Sequence, residues 1–191
     1  MSEEFLVINT EQSLVKPKAL EPLPLYDENY SMLKQKMPDY TGQLPNQNMT
    51  NLIERMKMTM RKFSGIGLSA NQCGIMTRMF IIGHENFELV CINPKVLGQS
   101  AEIIKGDEGC LSFPGLFCKI ERPAWIDVEF MNEKGEILQT RLEGLTARCY
   151  LHELDHMNGI KLIDNVGPVA LKMAREKQRK RIKTITKRLK K

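Results

Sequence analysis

The sequence predicts an α+β fold, with antiparallel sheets packed around a central helix and a further helix at the C-terminus. Three observations predict it. Strand-like segments come in clusters and do not alternate with helices, which argues against a doubly wound parallel sheet. Two of them, residues 125–131 and 136–142, alternate with period two on either side of Asn132-Glu133-Lys134-Gly135, a hairpin turn whose glycine is free to take a positive φ. Helical periodicity is confined to three stretches, and the second of them carries a His-Glu-Leu-Asp-His run.

Taken in order, residues 1–47 contain Pro17, Pro22, Pro24, Pro38 and Pro45 and no regular pattern, so they are expected to wrap the body as an irregular arm. The first helix is expected over 48–63, where Leu52, Ile53, Met56, Met60 and Phe63 fall on one face, with Gly65 ending it. Its methionines read as core filler. Short strands are expected at 79–82 and 89–92, both apolar runs. The segment around Cys110 is bounded by glycine and proline and reads as irregular. A second helix starts near Gly144 and ends by Gly159, and a third begins after Pro168. The organisation is one domain over 1–167 followed by a basic helix over 168–191.

Composition narrows the class. A hydrophobic fraction of 42% and a charged fraction of 27% are those of a soluble globular protein. No apolar run approaches the roughly 20 residues of a membrane span, so stable membrane insertion is not expected. The N-terminus carries acids and no basic lead, and is expected to be mature sequence. Five cysteines, with no Cys-x-x-Cys pair, argue against a disulfide framework and for a reducing compartment. Cys91, in an apolar run, reads as core, and Cys73 and Cys118 have no neighbours that change that view. The expected location is cytoplasmic. The net charge of +5 is uneven, since residues 172–191 hold eleven Lys or Arg and one acid, Glu176. A mildly acidic body with a strongly basic tail points to an anionic partner for the tail. Oligomeric state is not readable, and a monomer is the expectation.

His152-Glu153-Leu154-Asp155-His156 is an H-E-x-x-H run. On a helix, residues four apart share a face one turn apart, so two imidazoles can grip one metal ion while Glu153 reaches its water as a base. Leu145, Cys149, His152 and His156 fall on one stripe, which turns the histidines to the core side. The pattern points to a mononuclear metal hydrolase. Such a site needs a third protein ligand. The metalloprotease pattern would put a histidine at 162, but Leu162 stands there. His84 reads as an exposed loop histidine, and Asp164 and Glu176 sit in no recognisable motif. Cys110 is the better candidate, because a thiolate with two imidazoles suits Zn²⁺ or Fe²⁺. By composition alone it reads more often as a core thiol than as a ligand, and the third ligand stays open at this point.

Three blocks, in order, resemble those of the peptide deformylases, which remove the N-formyl group from nascent polypeptides. They are Gly65-Ile66-Gly67-Leu68-Ser69-Ala70-Asn71-Gln72, Glu108-Gly109-Cys110-Leu111-Ser112 and the H-E-x-x-H run, and they span about half of the chain. The resemblance implies Cys110, His152 and His156 as ligands of one divalent ion, Fe²⁺ in the cell, with Zn²⁺, Ni²⁺ or Co²⁺ able to replace it. It implies Glu153 as general acid and base, and the Gln72 side-chain amide and the Leu111 backbone N–H as donors to the developing oxyanion. Without it, Gln72 reads as a surface loop residue. Ile66, Leu145 and Cys149 are implied around the substrate methionine and Gly109 beside the substrate, and the stretch from Gly65 to Gly67 is implied to pair with the peptide, where a missing Cβ would let a substrate strand approach. Glu108 and Arg122 are expected to pair behind Cys110. Arg148 and Leu151 depart from the apolar residue and glutamine that many relatives carry, and Arg148 is expected to narrow the pocket mouth or lie aside. In the tail, Leu171, Ala174, Ile182, Ile185 and Leu189 recur at helical spacing between Lys and Arg, and this basic amphipathic helix is expected either on ribosomal RNA near the nascent chain, before an anionic membrane surface, or packed only on its own body.

Overall fold

Asn46 starts the first helix, α1 (Gln47–Lys62), by accepting a hydrogen bond from the Met49 amide at 2.8 Å. In the computed structural model, which describes residues 19–84 and 87–189 (side chains of His84 and 185–189 excepted), ten regular elements follow from such local choices. Met49, Ile53, Met56 and Met60 form the buried stripe of α1. Phe63, expected on that stripe, lies one residue past the helix and is exposed.

The strands are β1 (Gly67–Ser69), β2 (Met79–His84), β3 (Phe87–Gln99), β4 (Ile103–Cys110), β5 (Phe113–Pro123), β6 (Trp125–Met131) and β7 (Ile137–Glu143). All pairings are antiparallel, in a five-stranded sheet of order β1-β2-β3-β6-β7 and a separate β4-β5 hairpin. The central helix α2 (Gly144–Met157) packs on both, and the terminal helix α3 (Pro168–Leu189) packs on β5.

Strand β2 is buried on both faces. Met79 and Ile81 of β2 pack with α1, whereas Phe80 and Ile82 pack with Ala147, Tyr150 and Met157 of α2. Burial on both faces is why β2 reads as an unbroken apolar run. Burial does alternate along β6, with Ile126, Val128 and Phe130 inside. A third cluster joins Phe113, Leu116, Cys118 and Ile120 of β5 to Leu162 and to Ala174 of α3.

Two expectations are corrected here. Cys110 does not lie in an irregular segment; it ends β4, where a shift in register after Gly109 turns the strand. Strands β4 and β5 escape sequence patterning because Gly106, Gly109, Pro114 and Gly115 interrupt them. Strand β3 extends well beyond 89–92 because bulges carry it past Asn93 and Pro94. Of the expected irregular arm, residues 1–18 lie outside the described residues, and 19–46 form turns and one short 3₁₀ segment, Ser31–Lys34. All five cysteines are free, and no helix among the described residues is long and apolar enough to cross a membrane.

Candidate metal centre

Helix α2 delivers His152 and His156 one turn apart, both buried, and the end of β4 delivers Cys110 opposite them. The Cys110 sulfur lies 3.2 Å from His156 Nε2, and the ligand atoms of the three residues lie within 4.8 Å of one another. No other group of three or more His, Cys, Asp or Glu side chains is so placed among the described residues. Asp164 instead caps its own turn through the Lys161 amide, and the His84 side chain lies outside the described residues.

The donor set fits a divalent cation on chemistry as well as spacing. Burial opposes a charged His152, yet hydrogen bonds to Cys110 and Glu108 outweigh it and hold the imidazole well above its ordinary range. Burial, then the neighbouring His152, press His156 the other way, towards neutrality. One thiol and two imidazoles are a donor set that suits Zn²⁺ or Fe²⁺. Two buried polar atoms at the site have no protein partner, Glu153 Oε2 and His156 Nδ1.

Behind the ligands lies a buried network of charges. Glu108 Oε2 is 3.1 Å from His152 Nδ1, the contact that fixes a ligand's ring and tautomer. Arg122 donates to both Glu108 oxygens, at 3.0 and 3.1 Å, as the expected pair. Arg122 also bridges to Asp155 at 2.8 Å. Burial by itself would raise the Glu108 carboxyl, but hydrogen bonds from His152 and Arg122 prevail and bring it down to about 2. Arg148, left open by the sequence between pocket mouth and surface, turns inward and donates to Glu108 Oε1 at 2.8 Å.

Gln72 is buried, not on the surface. Its orientation is settled by the Ser69 amide, which can only donate, so the oxygen Oε1 faces Ser69 at 3.0 Å. Nε2 is thereby aimed at Ser112 Oγ, 3.1 Å away, and at the Cys110 sulfur, 3.4 Å away. Glu153 is fully inside, and burial pushes its carboxyl up to about 7 against the opposing charge of His152. The space a Cβ would take at Gly67 is filled by Glu153 Oε1 at 2.4 Å and Cys149 Sγ at 2.8 Å. This corrects the expectation that the glycine's open side serves a substrate strand; it lets α2 press against β1.

Ile66, Gly67, Gly109, Leu111, Leu145 and Cys149 line one cavity of about 530 Å³, together with Glu108, Cys110, Arg148, His152 and Glu153. That volume is in the ordinary range of ligand sites. Leu145, on the helix stripe of the histidines, is exposed on the cavity wall. A second concavity of about 560 Å³, beside Tyr40 and Met49, has no acid, histidine or cysteine in its lining. The sequence reading missed Ser69, Ser112 and Asp155, and it singled out Arg148 without finding its partner Glu108. The spacing of four between Arg148 and His152 was the one available signal.

Comparison with known proteins agrees with this geometry. Residues 22–172 match the family described as polypeptide deformylase. The peptide deformylase of Thermotoga maritima is 41% identical over 132 residues, covering 69% of this chain and 80% of the relative. That of Rhizobium meliloti is 38% identical over 142 residues, covering 72% and 82%. The crystal structure of the T. maritima enzyme superposes with a TM-score of 0.74 at 36% identity, over 78% of this chain and 99% of that one. The Synechococcus elongatus peptide deformylase, solved in complex with actinonin, gives a TM-score of 0.78 at 33% identity, over 82% and 88%. By sequence, fold and the residues gathered at its cavity, the chain belongs to the polypeptide deformylase family.

Proposed function

We propose that this protein removes the N-formyl group from the formylmethionine that begins nascent polypeptides, releasing formate, with Glu153 as general acid and base. The observation that carries the reading is the convergence of a three-ligand cluster, an unpartnered buried carboxylate oxygen and a fixed side-chain amide. Cys110, His152 and His156 would hold one divalent ion, with Fe²⁺ the choice in the cell and Zn²⁺, Ni²⁺ or Co²⁺ able to serve. When bound, such an ion brings the pKa of a water from 15.7 towards about 7 and polarises a carbonyl.

The chain's own residues do the rest. Glu153 accepts a proton from the attacking water and returns it to the leaving amine. As the formyl carbon becomes tetrahedral, charge gathers on its oxygen, and Gln72 Nε2 and the Leu111 backbone N–H donate to it; each such donor is worth about 3 kcal/mol. Ile66, Leu145 and Cys149, with His152, take the methionine side chain. Strand β1 lies at the edge of its sheet, so a peptide can pair with it beside Gly67 and opposite Gly109. Backbone pairing accepts many nascent sequences. The metal-loaded protein is expected to release formate from a formyl-Met peptide and to leave casein intact; casein cleavage without formate release would overturn the reading.

The partner side of the proposal is the ribosome, in the cytoplasm or an organellar matrix. Helix α3 turns Ala174 and Gln178 to the body and leaves Lys172, Lys177, Arg179, Lys180 and Lys183 exposed. Deleting the helix would uncover Phe113 and Leu116, so charge reversal is the cleaner test. Co-sedimentation with ribosomes at graded salt is expected to fall for the triple variant Arg179→Glu, Lys180→Glu, Lys183→Glu, and unchanged sedimentation would sink the idea.

A further inference from the structure

We infer that Arg148 is a positioning residue of the metal centre, locking the β4-β5 hairpin that carries Cys110 to the helix that carries both histidines, with Gly106 as the notch that admits it. The inference rests on the metal-site reading above and concerns what sets the distance between its two halves.

Arg148 and His152 are one turn apart on the same face of α2. They meet the same carboxylate, one at each oxygen: Arg148 Nη1 donates to Glu108 Oε1 at 2.8 Å, and His152 Nδ1 lies 3.1 Å from Oε2. The guanidinium goes further than an ion pair. Nη1 also donates to the Ile120 carbonyl of β5 at 2.9 Å, and Nη2 to the Ile104 carbonyl of β4 at 2.6 Å. One side chain of α2 thus holds both strands of the hairpin and the glutamate two residues before Cys110.

Two further observations make the lock specific. A Cβ at Gly106 would lie 2.9 Å from Arg148 Cζ and 3.0 Å from Nη2, so this strand position must be glycine for the guanidinium to lie flat on the hairpin. Gly106 pairs across the hairpin with Ile120, whose carbonyl Arg148 engages. Arg122 is divided between Glu108 and Asp155, which leaves Arg148 as the guanidinium that, among the described residues, has Glu108 as its one carboxylate. A planar fork that reaches a carboxylate and two carbonyls at once is a task for arginine; a lysine ammonium can keep the charge but not span all three acceptors.

The test is titration of the metal-free protein with Co²⁺, following the near-ultraviolet sulfur-to-cobalt band and the visible ligand-field bands, with chelator competition for affinity. The variants are Arg148→Leu, Arg148→Lys and Gly106→Ala, each checked for fold by circular dichroism. The expected result is a Co²⁺ affinity about 10- to 100-fold weaker for Arg148→Leu, the usual effect of losing a partner behind a ligand. Altered ligand-field bands accompany it, with the lysine variant in between and Gly106→Ala shifted in the same sense. A residue that merely stabilised the fold would lower the melting temperature without moving those bands. If Arg148→Leu does not fold, the other two variants decide. Wild-type affinity and an unchanged spectrum in the folded variants would overturn the lock. A wild-type protein with no sulfur-to-cobalt band would instead count against the metal site itself.

Discussion

At the scale of single residues, Gly67 shows how closely the site is built. It is buried in an edge strand, and the place of its missing side chain belongs to Glu153 and Cys149. Gly67→Ala would set a methyl 2.4 Å from Glu153 Oε1, and because that oxygen ends a flexible side chain, the carboxylate is what moves. The expected outcome is a folded protein that still takes up metal, with kcat lowered about 10- to 100-fold through loss of a positioned proton carrier; stopped assays of formate release beside metal analysis check it. Gln72 makes the opposite point about legibility. Nothing in its neighbours' composition marks it, because the Ser69 amide that aims it and the Ser112 hydroxyl that meets its Nε2 come together only in the fold. Its role was readable through resemblance alone. His152, Glu153 and His156 were readable from residue chemistry, since helical spacing places them without tertiary information.

At the scale of elements, α1, α2 and β6 follow their sequence patterns because one face of each is buried and the other is not, whereas β7 buries Leu142 alone. Helix α1 ends within a residue of expectation at both ends, and β6 coincides with its alternating run. Strands β4 and β5 do not follow, since their job is to carry Cys110 and wall the cavity. Glycines at 106 and 109 make room for Arg148 and Phe117, and so erase the apolar pattern by which a strand is recognised. The methionine stripe of α1 is core, with Met56 wholly buried against β1 and β2. Met56→Ala should therefore lower unfolding stability by about 2–5 kcal/mol, read from the urea midpoint, while leaving the metal-binding cluster on the other side of the sheet intact.

At the scale of the whole molecule, the chain separates a mildly acidic body from a basic helix, and the fold connects the two. Arg175 of α3 pairs with Glu28 of the N-terminal arm, and Gln178 and Arg181 donate to the carbonyls of Pro114 and Gly115 on the cavity's β5 wall. The charge asymmetry was legible in the sequence, and so was a partly docked helix, since Ala174 falls on the apolar spacing of the tail; its partners Glu28, Pro114 and Gly115 were not, because they lie far away along the chain. The central claim concerns the body, where two sheets and one helix assemble a hydrolytic site around Glu153. It is tested most directly by Glu153→Gln, which keeps the shape of the side chain and removes its ability to carry a proton. With metal content matched to wild type, formate release from a formyl-Met peptide should fall by a factor of about 10²–10⁴. Release at the wild-type rate by the metal-loaded variant would contradict the account.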